Sequence, residues 1–143
     1  MLSTWQDIQI GITVIGGIVG GILGGFDGFM YTLIVCMVVD YITGFMVAII
    51  EKKLSSEVGF RGIFRKVCIL MLVGVANLVD VNVIGQGAIL RTAVIFFYIS
   101  NEGVSILENA GKLGLPIPER LRTVLAQLRE DGDGDGKETG NDD

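Results

Sequence analysis

The stretch "FMYTLIVCMVVDYITGFMVAII", residues 29–50, carries a single charged side chain, Asp40, in an otherwise uncharged and largely apolar run. A hydrocarbon core about 30 Å thick is crossed by about 20 predominantly apolar helical residues. Inside lipid every backbone group must be paired within its own element, which excludes a lone strand. The run therefore predicts a transmembrane helix with one acid inside it.

Three further apolar segments flank this one, at 8–25, 67–84 and 87–107, each shorter or interrupted by polar residues. Thr4 with Asp7 has the spacing of a capping box, and Asp27 in "FDG" suits the N-cap of the second helix. The expected architecture is an all-α membrane protein of three to four transmembrane helices within residues 1–114. A short cytoplasmic amphipathic helix at 115–130 and a disordered acidic tail at 131–143 follow. In the amphipathic segment Pro118 suits a first helical turn, and Leu121, Val124, Leu125 and Leu128 form one stripe. The uncharged N-terminus leaves two readings for 8–25, spanning or interfacial.

Composition agrees with a membrane protein. Half of the 143 residues are hydrophobic, 21 are glycine and none is histidine, and mean hydropathy is +0.61. The net charge of −5 comes from the tail, because residues 1–129 hold ten basic and nine acidic side chains. No element sustains a basic face, so nucleic acid is not an expected partner. Cys36 and Cys68 both lie in apolar runs and predict no disulfide. The first seven residues lack Lys and Arg, which argues against a cleavable leader.

Cations set the expected orientation. Lys52, Lys53, Arg61, Arg65 and Lys66 cluster in one connection, and Lys112, Arg120, Arg122 and Arg129 follow the last apolar segment. Both regions, and so the C-terminus, should be cytoplasmic.

Within the first segment, "GGIVGGILGG" places Gly16, Gly20 and Gly24 on one helical ridge and Gly17, Gly21 and Gly25 on its neighbour. Interior glycine costs a helix about 1 kcal/mol relative to alanine. Close approach of another helix, in the same chain or the next copy, offsets that cost in lipid. The paired spacing predicts a helix-docking face.

Intramembrane polar residues are the other candidates. Asp40 lies about eleven residues, roughly 16 Å, into its helix, and Asn77 falls at similar depth as a possible hydrogen-bond partner. Asp80 and Arg91 fall near the same membrane face and suit a structural ion pair. In "GAILRTAVIFFYISNEGVSIL", Arg91, Tyr98, Glu102 and Ser105, continued by Asn109, recur on one face of an amphipathic span. That face should meet other copies or water in an assembly, or else be buried against Asp40 and Asn77.

In the tail, Asp131, Asp133, Asp135, Gly136 and Asp142 follow a calcium-loop spacing. Solvation of an Asp/Gly run is the expectation there. No catalytic constellation, cofactor or metal site is expected.

"DYITGFMVAI" (40–49), "KKLSSEVGFRGIFRK" (52–66) and "FYISNEGVSILENAGKLGLPIPERL" (97–121) carry a further signal. Through these blocks the sequence resembles the bacteriophage lysis holins, in the family that also contains holin-like proteins of large clostridial toxin release. The last block is the most specific, through Asn101, Glu102, Gly103, Glu108, Asn109 and Pro118. The glycine-rich segment and acidic tail lie outside the recognised pattern. The resemblance implies a homo-oligomer in the bacterial cytoplasmic membrane that opens lesions for a muralytic endolysin or a toxin, without necessary direct contact with that cargo. The faces holding Asp40, Arg91 and Glu102 would then be hidden before triggering and line water afterwards. Competing classes are a small ion channel or transporter subunit, and a non-permeating adaptor or holin antagonist.

Overall fold

A computed structural model describes residues 2–124 and 127. Four long helices account for most of them: α1 (Leu2–Leu23), α2 (Gly28–Ile50), α3 (Ser56–Val79, continued by a π-helical turn Asp80–Ile84) and α4 (Ile89–Lys112). All four are long and apolar enough to cross a membrane. Among the described residues there is no strand. The protein is therefore an all-α, multi-pass membrane protein.

Exterior chemistry supports the same conclusion. Residues 3–19 are exposed without exception, and Ile42, Phe64, Met71 and Phe97 also point outward. In water such a surface would aggregate. Hydroxyls on the lipid-facing helices are hidden by bonding back one turn: Thr32 to the Gly28 carbonyl at 2.8 Å, Thr43 to Val39 at 2.9 Å and Ser100 to Phe96 at 3.0 Å. Each is thereby satisfied inside its own helix, as lipid requires.

Local signals explain the helix ends. Asp27 caps α2, its Oδ1 accepting from the Met30 N–H at 2.9 Å. Ser55 caps α3, its Oγ accepting from Val58 N–H at 3.2 Å. The α3 helix thus begins eleven residues before the apolar segment at 67 and takes in most of the basic connection. Thr4 does not cap α1, since that helix already runs from Leu2.

The α1 helix ends in a double turn: Gly24 N–H donates to the Gly21 carbonyl and Gly25 N–H to Gly20 at 2.7 Å. Gly24 (φ 82°) and Gly25 (φ 91°) are left-handed, a conformation glycine adopts without a Cβ penalty.

The α2 and α4 helices make the most extensive interface, and α3 packs along α4. The core between them is Leu23, Met30, Leu33, Met37, Ile69, Val73 and Ile95. The α1 helix meets α3 near its C-terminal end, where Ile22 lies over Gly74; a Cβ on Gly74 would come within 3.2 Å of the isoleucine Cγ2. Residues 119–124 are helical. The predicted stripe partners Leu125 and Leu128 lie outside the described residues, as do the calcium-loop positions Asp131, Asp133, Asp135, Gly136 and Asp142.

Candidate functional site

Two polar clusters sit inside the bundle, at different levels. Along α2, α3 and α4 they are separated by thirteen, fourteen and eleven residues, or about 16–21 Å at 1.5 Å per residue.

The first lies at the α1–α2 turn. Arg91, buried at the start of α4, donates from Nε to the Leu23 carbonyl at 2.6 Å and from Nη2 to the Gly25 carbonyl at 2.9 Å. Its Nη1 meets Asp27 Oδ2 at 2.8 Å. Helices end with unpaired carbonyls, and one guanidinium satisfies those of α1 while holding the cap residue of α2. Asn77 assists, donating from Nδ2 to the Ile22 carbonyl at 3.0 Å. The Arg91 guanidinium, then the Met30 backbone N–H, hold the Asp27 carboxyl below its ordinary value of 3.8.

Two expectations change here. Among the described residues, the carboxylate paired with the Arg91 guanidinium is Asp27's, not Asp80's. Asp80, fully buried, accepts instead from the backbone N–H groups of Leu90 (3.0 Å) and Arg91 (2.8 Å). It caps α4 from the preceding helix because Ala88, at the N-cap position, offers no side-chain acceptor. Asn77 reaches α1 rather than Asp40, because its helix face turns toward the α1 C-terminus.

The second cluster joins the other three helices. Lys66 Nζ lies 2.7 Å from Asp40 Oδ2 and 2.5 Å from Glu102 Oε2. All three side chains are largely buried, and each sits ten residues from its helix's terminus at the basic end. Asn109 Nδ2 donates to Thr43 Oγ1 at 3.0 Å and to Asp40 Oδ1 at 3.3 Å. Ser105 lines the cleft beside them. The sequence marks Lys66 only as an orienting cation. The signal that reveals it is the Ser55 cap, which makes 56–66 helical and turns Lys66 toward Asp40.

Within the single chain the α4 polar face is partly covered, Arg91 and Glu102 being buried and Tyr98, Ser105 and Asn109 half-buried. Arg91 serves one cluster, and Glu102, Ser105 and Asn109 serve the other. Tyr98 joins neither; it is half-buried against the apolar core, edge-on to Phe97 at 5.1 Å.

The glycine candidates divide. Gly24 and Gly25 form the C-cap of α1. Gly20 is covered by Phe26, to which a Cβ would come within 3.0 Å. Around Gly16, Gly17 and Gly21 an added Cβ would meet nothing within 4 Å. Among the described residues, no side chain or neighbouring helix lies within 4 Å of a Cβ placed there.

The bacteriophage holin family matches residues 17–130. The chain belongs to that family. The match takes in α1 from Gly17 onward, so the second half of the glycine-rich segment lies within the family pattern, contrary to the reading from sequence. An uncharacterized protein of Clostridium perfringens (strain 13 / Type A) is 43% identical over 122 residues, 85% of this chain and 90% of its own length. One from Listeria innocua serovar 6a is 37% identical over 118 residues, 82% of this chain and 84% of its own. A probable holin of Bacillus phage phi105 is 35% identical over 101 residues, 71% of this chain and 74% of its own. No solved structure matches. Holin family membership, with four apolar helices, makes this a holin-like membrane protein.

Proposed function

We propose that this protein is a holin that accumulates in the bacterial cytoplasmic membrane with its basic connections and C-terminus cytoplasmic. Many copies then assemble into lesions that release a muralytic endolysin or a toxin and so time lysis.

The observation that carries this reading is the internal neutralisation of the charged face of α4. A charged side chain at the centre of a span costs about 2.5–3.5 kcal/mol on insertion scales. Here Arg91 and Glu102 are each 3% exposed and paired within the chain. A single copy can therefore reside in lipid without injury to the membrane. Four thin helices cannot enclose a passage for a folded enzyme, so a large lesion requires many copies. It also requires the polar faces of Asp40, Arg91 and Glu102 to leave their present partners and line water. The open glycine face of α1 supplies a surface for association.

Timed expression, with and without a cognate lysin, tests this by membrane potential, dye entry and release of cytoplasmic protein. The expected result is an abrupt onset with protein release, and lysis when the lysin is present. Ion leakage without protein release would assign a small channel. Intact cells would assign an adaptor or antagonist.

A further inference from the structure

Between α2 and α3 the bundle is open on both sides of Tyr41 and Lys66, which line two adjoining clefts. One, about 290 Å³, is walled by Ile34, Val38, Ile63 and Leu70 and is apolar except for Lys66. The other, about 220 Å³, extends toward the basic end, where Leu54 of the α2–α3 connection lines it with Phe45, Ala48 and Val58. Its polar lining is Asp40, Tyr41, Arg65, Lys66, Ser105 and Asn109. An apolar slot toward the bilayer centre and a polar slot toward the surface have the shape of an amphiphile.

Charge selects the kind of amphiphile. Five cations fall between residues 51 and 66, and three are paired: Arg61 with Glu57 at 2.9 Å, Lys53 with Glu51 at 3.3 Å, and Lys66 with Asp40 and Glu102. Among the described residues, Arg65 makes no ion pair, and it is an exposed residue that lines the polar cleft. The carboxylate in that cleft, Asp40, is already covered by Lys66 and Asn109. A planar guanidinium suits a phosphate bidentately, and the Arg65 side chain, tilted toward the N-terminus of α3 as helical side chains are, reaches toward the basic end. Basic pockets between membrane helices recognise anionic headgroups.

We infer that the α2–α3 clefts bind one anionic phospholipid, with its phosphate on Arg65 and one acyl chain between Val38 and Ile63. The bound lipid fills the gap that α2 and α3 leave between them and ties their spacing to membrane composition. Binding requires insertion in a bilayer and not lesion formation, so this inference and the lytic reading can fail separately.

The test uses the full chain in phosphatidylcholine bilayers doped with chain-labelled phosphatidylglycerol or phosphatidylcholine, reading the motionally restricted fraction by electron spin resonance. The expected preference for phosphatidylglycerol is about fivefold, the effect of one cation near the surface. Arg65→Gln should bring it near unity, and Arg61→Gln, the same charge loss outside the cleft, should keep most of it. Ile63→Phe, filling the apolar slot, should lower the restricted fraction of both lipids. No preference in the unaltered protein, or equal loss in the two arginine variants, overturns the inference. So does a disulfide-linked dimer through Val58→Cys in a Cys36→Ser, Cys68→Ser background without lipid preference, which would place a second copy in the cleft.

Discussion

The ammonium of Lys66 lies 2.5 Å from Oε2 of Glu102, bolting the basic-end half of α3 to the middle of α4. Asp40 on α2 shares the same ammonium at 2.7 Å. One cation therefore fastens three helices at a depth where water is scarce. The arrangement is worth more as an interlock than as raw stability, because desolvating three charges consumes much of what their attraction returns.

Removing the cation alone should expose that asymmetry. Lys66→Met leaves two buried carboxylates facing each other and should destabilise the bundle by about 3–5 kcal/mol. Unfolding in mixed micelles, followed by circular dichroism, measures it. A loss below about 1 kcal/mol would show that water already reaches the cluster.

Glu102→Leu acts on the same interlock from α4. It removes one carboxylate from Lys66 but leaves Asp40 to hold it, so the protein should still accumulate while the onset of lysis shifts. Unchanged timing at normal membrane levels, judged by immunoblot and culture turbidity, would separate the cluster from triggering.

Gly24 and Gly21, three positions apart, should respond differently. Gly24→Ala forces a left-handed backbone on a residue with a Cβ, at about 1–3 kcal/mol, and drives that Cβ to 2.6 Å from Arg91 Nε. Gly21→Ala meets nothing within 4 Å and adds helix propensity. Thermal unfolding in detergent should show a clear loss for the first and none for the second.

Gly17→Leu isolates association from folding. A Cβ placed there meets nothing within 4 Å and the residue is exposed, so the fold should persist, while close approach of another α1 is blocked. Cysteine cross-linking between copies in native membranes should fall severalfold. Gly20 is the poorer probe, because Phe26 already covers it.

Acid should loosen the α1–α2 turn only below the ordinary carboxylate range. The folded-state pKa of Asp27 lies below its ordinary 3.8 through the Arg91 contact and then the Met30 N–H. Its stabilisation is thus complete above about pH 4 and lost as pH falls through the lowered value. The exchange protection factor of the Met30 amide should be level from pH 7 to 5 and fall below 4. In Asp27→Asn it should be flat and lower throughout.

Much of the fold could be read from periodicity and hydropathy, since both act locally. The Asp27 cap, the run to Ile50 and the four-helix architecture are examples. Hydropathy marks only the apolar segment from 67, eleven residues after α3 begins, because the charges in 56–66 mask a helix that Ser55 caps. At the site, the residue types were visible but their partners were not. Arg91 and Asp80 are eleven apart and looked like a pair, yet the guanidinium crosses to Asp27, sixty-four residues away.

Sequence alone determined that this chain lives in lipid, as helices, with acids and an arginine that must be hidden, because burial cost and backbone satisfaction depend only on what each segment contains. Tertiary structure decided where those groups hide. The rotation of α3 and α4 about their axes brings Lys66 between Asp40 and Glu102 and lays Arg91 on the end of α1, and that rotation is set by packing around Leu33, Val73 and Ile95, which no single segment encodes.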